Sequence, residues 1–316
     1  MTPGSLLEIA HPKEHPFLAT LAGRLAAGTL IRGNEPMAKR TTLRVGGPAD
    51  IYVEPVSELD LAIILRFCAE SRLKFFLLGR GSNLVVRDGG FRGVVICLTH
   101  PEFSRIAVEG ETLICGAGAR LKDVANAARR AGVAGLEFLA GIPGSVGGAL
   151  HMNAGAMGGA IAELIAGVRV MDFGGTTRDL KSGEITFTYR TCATLQNHIA
   201  LAARLRGRSD LGAAIERRMS TFNEKRWSAQ PSAPSAGCAF KNPDGMSAGK
   251  LIDELGLKGT RVGGAVVSAE HGNFIVNDGG ATAGDVLQLI ELVKERVRTL
   301  RAVELQMEVK IVGDEP

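Results

Sequence analysis

Apolar residues follow two rhythms along this chain. In its first half, "ADIYVEP", "KFFLLG", "NLVVRD" and "GVVICL" are short runs rich in β-branched and aromatic residues, each bounded by Gly, Pro or Asp, and they predict strands. A second β-rich stretch runs to "YRTCATL" and "HIALAARLRGR". Helical spacing breaks in at "RLKDVANAARRAG", where Leu121, Val124 and Ala128 share one face and Gly132 supplies the stop. Residues 1–40 predict a loose helical preface, with "HPFLATLAGRLAAG" its clearest helix. Beyond Ser209 the three- and four-residue steps of Leu211, Ile215, Met219 and Phe222 predict an amphipathic helix leading into another unit. "AGKLIDELGLKG" predicts a helix ended by glycine, and "GNFIVN" a strand. The strongest helical pattern is "TAGDVLQLIELVKERVRTLRA", with Thr282 and Asp285 as a capping box and Val286, Leu289, Ile290, Val293, Val297 and Leu300 as its apolar stripe. In "VELQMEVKIVG", Val303, Leu305, Met307, Val309 and Ile311 alternate with polar residues, the period of a half-buried strand.

The 316 residues exceed what one core usually serves, so two or three packed units are expected. A net charge of +4, no Lys/Arg run and 5% aromatic residues argue against a nucleic-acid groove and leave small anions as partners. Cys68, Cys97, Cys115, Cys192 and Cys238 are odd in number, and neither a Cys-x-x-Cys pair nor zinc spacing occurs, which fits a reducing compartment and no metal. The opening "MTPGSLLEIAHPKEHPF" interrupts any signal-peptide core, and no run approaches the roughly 18 apolar residues of a membrane span. A soluble cytoplasmic protein is expected. The 41 glycines are the one compositional excess.

Two clusters hold the informative glycines. "FFLLGRGSNLVV" places Gly79 and Gly81 in a turn between apolar runs, but Leu84 stands where a dinucleotide fingerprint needs its third glycine and a strand follows instead of a helix. No Walker A motif is present. Successive N–H groups, with the Ser82 hydroxyl and Asn83 amide, would make an anion nest; an ordinary tight turn is the plain alternative. "GLEFLAGIPGSVGGALHMNAGAMGG" interleaves glycines with Ile142, Val146, Leu150 and Met152, a texture of main chain packed closely against something flat or charged. The clusters together suggest a large nucleotide cofactor lying across both, and a glycine-rich structural crossover remains the other reading of the second.

In this order and spacing, "TTLRVGGPAD", "LGRGSNLVVRD", "GIPGSVGGALHMNAGAMGG", "YRT", "SAGCAFKNP", "AGKLIDELGLKG" and "VELQMEVKIVG" resemble the UDP-N-acetylenolpyruvoylglucosamine reductase family over roughly Lys39 to Gly313. The resemblance implies an α+β protein: a vanillyl-alcohol-oxidase-like (PCMH-type) FAD-binding domain of two subdomains at 41–209, a smaller α+β substrate-binding domain at 210–302, and a strand at 303–316 carrying a catalytic glutamate. It implies NADPH-dependent reduction, through FAD, of UDP-N-acetylglucosamine enolpyruvate to UDP-N-acetylmuramate for peptidoglycan. FAD would rest on Gly79, Gly81, Ser82 and Asn83 in the first cluster. In the second it would meet Gly144, Ser145, Gly147, Gly148, Asn153 and Gly155. "LGRGSN" lacks the histidine that tethers flavin in many relatives of the superfamily, so the FAD is expected to be non-covalent. Arg190 in "TYRTC" and Glu308 in "QMEVKI" match the family's active-site arginine and glutamate, and Cys238 stands where its best-known members have a serine proton donor. Arg226, Lys241 and Asn242 are candidates for the substrate phosphates, with Lys250 and Asn273 behind them. The short link from "KNPDG" to "AGKLI" has no room for the tyrosine-bearing lid of one branch, so the chain resembles the shorter branch. A monomer is expected. Another flavin oxidase or dehydrogenase of the superfamily, or a non-catalytic nucleotide-binding module, are the competing readings.

The chemistry suits these residue types. A guanidinium stays ionised and grips a carboxylate through parallel N–H bonds, which fits Arg190 unless it forms a surface ion pair. By alternation Glu308 turns away from the apolar face and would by itself be a solvated glutamate; facing a substrate carboxylate, its pKa would rise and its protonated form could donate a hydrogen bond. Free cysteines are most often inert buried residues. A thiol with a pKa of about 8.5 is nonetheless mostly protonated at neutral pH and can quench a carbanion. Arg190 would favour the thiolate of Cys238 and Glu308 oppose it.

Overall fold

The computed structural model describes residues 15–315, so most of the stretch weighed as a signal peptide lies outside the described residues. The first sheet runs in the order Leu30–Pro36, Pro48–Glu54, Phe91–Cys97, Phe75–Leu78, with the first pair antiparallel and the others parallel. Its inner strands are buried on both faces, which is why "GVVICL" shows no polar alternation. Val94 and Ile96 enter the large core, whereas Val95 and Cys97 point to a smaller one with Met37, Tyr52 and Leu84. The second sheet is antiparallel in the order Thr177–Lys181, Ile165–Asp172, His198–Arg206, Thr112–Gly116, Ile106–Glu109. The helix Leu121–Arg130 covers it with Leu121, Val124 and Ala128, as its spacing predicts.

A third sheet, Ser235–Cys238, Phe274–Asn277, Ala265–Val267, Arg261–Val262, packs beneath the long helix Ala283–Arg301. Thr282 Oγ1 accepts from Asp285 N at 3.0 Å and the Asp285 carboxylate accepts from Thr282 N at 3.0 Å, so the capping box forms as predicted. Leu43, Val45 and Val85 reach into this third core from the first part of the chain. The two parts are also sewn together by the parallel pairing of Leu84–Val86 with Lys310–Val312.

Several local expectations change. The helix Glu58–Glu70 lies within the stretch read as strands; Ser57 caps it by accepting from Asp60 N at 3.1 Å, and Leu61, Ile64, Leu65 and Cys68 form its buried face. Among the described residues of the preface only Leu18–Ala22 is α-helical, and Leu30–Pro36 is a strand paired with Pro48–Glu54. The helix Gly212–Ala229, expected to open the second unit, packs Ile215 and Met219 into the first core. Leu211 precedes that helix and is 77% exposed, and Leu300 lies past the last turn that meets the third core, 54% exposed. Regular pairing near the end is limited to Lys310–Val312; before it, residue 307 only bridges to Phe240, so the alternation holds at Val303, Leu305, Val309 and Ile311 but breaks at Met307, which is exposed.

Leu289 is fully buried, so Leu289→Ala should lower stability by about 2–5 kcal/mol while Leu300→Ala costs no more than about 0.5 kcal/mol. Denaturant midpoints of the two variants check this; equal losses would contradict the helix's placement.

Candidate active site

A cavity of about 900 Å³ opens between the turn at 79–83, the start of the helix Val146–His151 and the strand Ser235–Cys238. The turn joins the strand Phe75–Leu78 to Leu84–Val86. Gly81 has φ +62°, and a Cβ there would collide with the Arg40 carbonyl oxygen. Among the described residues, the main-chain N–H groups of Gly79, Arg80, Gly81, Ser82 and Asn83 meet no acceptor within the protein. Five unsatisfied donors on the wall of a cavity form a cradle for an anion. The side chains expected to join them are spent elsewhere: Ser82 Oγ donates to the Pro143 carbonyl, and Asn83 Nδ2 to the Glu308 carbonyl at 3.1 Å.

The second glycine cluster forms the facing wall. Ser145 caps the short helix, its Oγ accepting from Gly148 N at 3.4 Å. Gly147 passes so close to Ala117 that a Cβ would sit 3.2 Å from its methyl carbon, a packing reason for glycine. Gly144 and Gly148 differ, because a Cβ on either would meet protein atoms only at ordinary contact, 3.7 Å from Leu121 and 3.5 Å from Ser145. Both line the cavity, where the missing side chains leave volume for a ligand. Gly155 also lines it. Asn153 does not: its Nδ2 donates to the Thr188 carbonyl at 2.9 Å and its Oδ1 accepts from Ala162 N at 3.3 Å, which braces the hairpin bearing Arg190.

That hairpin pairs Phe187–Thr188 with Thr191–Cys192, so Tyr189 and Arg190 form its two-residue turn, with Arg190 at φ +58°. Arg190 Nε donates to Glu308 Oε1 at 2.7 Å, with 22% and 15% of the two side chains exposed. Burial pushes the Glu308 carboxyl above the ordinary range, against the opposing pull of Arg190 and Lys241. Glu308 is held from its other edge too, its N–H donating to the Ala239 carbonyl at 2.9 Å, directly after Cys238. Cys238 lines the same cavity, and Gly237, at φ +76°, turns the chain ahead of it. Burial, reinforced by the Glu308 charge and opposed by Arg190 and Arg226, pushes the thiol up to about 12.

Arg226 reaches the large cavity, where burial lowers its pKa. Lys241 lines a side chamber of about 270 Å³ that shares Arg190, Glu308 and Lys310 with it. Asn242 lines neither space; its Oδ1 accepts from Ala248 N at 3.0 Å. Asn273 is buried, bonded to Phe240 N at 2.9 Å and Phe240 O at 2.8 Å beneath the Cys238 strand. Lys250 is exposed and faces Glu254. Two residues not anticipated, His151 and Lys310, line both spaces, and burial lowers both their pKa values. Lys310 was within reach of the alternation argument, two positions after Glu308. His151 carried no such signal. Among the described residues no cluster of His, Cys, Asp and Glu could hold a metal ion, and no helix is long and apolar enough to cross a membrane.

Residues 49–181 match the FAD binding domain family, and residues 230–312 match the C-terminal domain of UDP-N-acetylenolpyruvoylglucosamine reductase. Proteins named UDP-N-acetylenolpyruvoylglucosamine reductase from Moorella thermoacetica and a Bradyrhizobium species are 41% and 44% identical to the chain. Each alignment covers 94% of this chain, with 99% and 94% of the two relatives. The crystal structure of the UDP-N-acetylenolpyruvylglucosamine reductase from Thermus caldophilus superposes with a TM-score of 0.77 at 38% identity, covering 90% of this chain and 98% of that one. The α+β fold and FAD-binding domain expected from the sequence agree with these relatives.

Two measurements probe the site. Gly81→Ala should purify without the yellow flavin absorbance of the parent, because the turn cannot keep its path with a Cβ in place. With a pKa of about 12, Cys238 alkylation by iodoacetamide should rise tenfold per pH unit through pH 10; a plateau above pH 9, read by peptide mass, would place the thiol in the ordinary range.

Proposed function

The chain belongs to the UDP-N-acetylenolpyruvoylglucosamine reductase family, and on that premise we propose that it reduces UDP-N-acetylglucosamine enolpyruvate to UDP-N-acetylmuramate with NADPH, for peptidoglycan synthesis. The observation that carries this reading is the convergence of Cys238, Arg190 and Glu308 on one cavity whose opposite wall is a turn of unsatisfied N–H groups. FAD fits that cavity: the N–H groups at 79–83 suit its pyrophosphate, and Gly144 and Gly148 leave room beside them. When bound without a covalent link, it supplies two-electron chemistry between NADPH and the enolpyruvyl group.

The protein's own residues manage charge and a proton. Arg190 spends Nε on Glu308 and keeps its terminal nitrogens for the substrate carboxylate. As negative charge spreads into that carboxylate during reduction, the guanidinium stabilises it more strongly than in the ground state. Burial shifts Glu308 toward its protonated form, the form that donates a hydrogen bond to the same oxygens. Cys238 then gives its proton to the substrate carbon. Its high pKa keeps the proton in place until a strong carbon base develops, and Arg190 and Arg226 stabilise the thiolate left behind, before solvent reprotonates it. Cysteine in place of the serine that the resemblance leads one to expect preserves a short side chain with one transferable proton.

Arg226 and Lys241 bring positive charge to the large cavity and its side chamber, positions suited to the diphosphate. Asn242 acts instead by holding the turn that follows Lys241. We place the enzyme in the cytoplasm as a monomer; all five cysteines are free, as a reducing compartment requires.

Anaerobic stopped-flow separates the two halves of the reaction. NADPH should bleach the flavin and the enolpyruvyl UDP-sugar should restore its colour; failure of the second step would refute the proposed substrate. Cys238→Ala should leave bleaching within about twofold and slow recovery by about 10²- to 10⁴-fold, while Cys238→Ser retains turnover. Equal loss in both steps would mean that Cys238 is structural.

A further inference from the structure

Asn83 is the last residue of the anion turn, yet its carboxamide points away from that task. Glu308 O can only accept, so the group facing it at 3.1 Å must be the Asn83 nitrogen. The hold has two points, because Lys310 N donates to the Asn83 carbonyl at 3.1 Å. On its far edge Glu308 N donates to Ala239 O. The main chain of Glu308 is thereby suspended between the turn and the residue after Cys238, while its carboxyl meets Arg190 at 2.7 Å. An ionised aspartate at position 83 would set oxygen against oxygen, and glutamine is one methylene too long.

We infer that Asn83 is a positioning residue, which fixes the Glu308 carboxyl against Arg190 by tying its main chain to the cofactor turn. This rests on the reductase reading above. The turn's N–H groups remain those of the main chain whatever side chain stands at 83, so cofactor affinity and carboxyl placement are separable. A displacement of about 1 Å at a reacting constellation costs on the order of 10²-fold in rate. Arg190 draws the Glu308 pKa down, so a loosened pair lets it rise.

Asn83→Ala and the uncharged, near-isosteric Asn83→Leu test this in the FAD-loaded enzyme. Fluorescence titration of FAD into deflavinated protein should give an affinity within about threefold of the parent, and NADPH should bleach the flavin at the parental rate. Reoxidation by the enolpyruvyl UDP-sugar should slow by roughly 10- to 100-fold, with the limb of its pH–rate profile set by Glu308 moved to higher pH. Parental reoxidation, a profile lowered but not moved, or FAD affinity falling in step with the rate would each overturn the inference. Asn83→Leu nearly keeps the side chain's shape, adds no charge to the anion turn and is decisive alone if Asn83→Ala fails to fold. A parent enzyme that bleaches but is not reoxidised would overturn the reductase reading and the inference with it; a parent that turns over beside unaffected variants overturns the inference alone.

Discussion

The parallel pairing of Leu84–Val86 with Lys310–Val312 is the constraint on which the site depends. It joins segments more than two hundred residues apart, and among the described residues neither has another partner strand. One strand follows the anion turn; the other follows Glu308. Because they lie in register, Asn83 reaches Glu308, and because Glu308 N bonds to Ala239 O, the thiol of Cys238 is drawn to the same wall. Three segments without sequence proximity are brought to one cavity by a handful of main-chain hydrogen bonds, each of the directional kind that fixes position as well as energy.

Much of this was legible in the residues, and the exceptions have physical causes. The Thr282–Asp285 capping box and the stripe from Val286 to Val297 appear as the pattern predicts, because a capped helix with a wide apolar face has few alternatives. The helix Glu58–Glu70 escaped notice although Ser57 and Asp60 form a start signal, since its Ile and Leu content resembled the strands around it. Leu211 and Leu300 fit the helical period but lie where the partner surface has ended; periodicity reports a direction and not whether anything lies there. Arg190, Cys238 and Glu308 came from matching motifs, not from their own surroundings. The side-chain partners of Ser82, Asn83 and Asn153 differ from expectation for one reason: local sequence shows that a side chain can bond but not which carbonyl the fold will bring to it.

The site holds the protons of Cys238 and Glu308 to higher pH than free side chains would. Burial acts first on both Cys238 and Glu308, and the cations around them only temper it. A drier site strengthens the grip of Arg190 on a carboxylate for the same reason, since the dielectric that penalises a lone ion amplifies a paired one. Burial lowers the pKa of both His151 and Lys310, and the charge of Lys310 lowers that of His151 further.

The pairing between residues 84–86 and 310–312 also sets a schedule for biosynthesis. Translation delivers the glycine turn early, but Glu308 and the strand that anchors it emerge more than two hundred codons later. A nascent polypeptide on the ribosome therefore carries the segment of the flavin's cradle long before it owns the carboxyl of its catalytic centre.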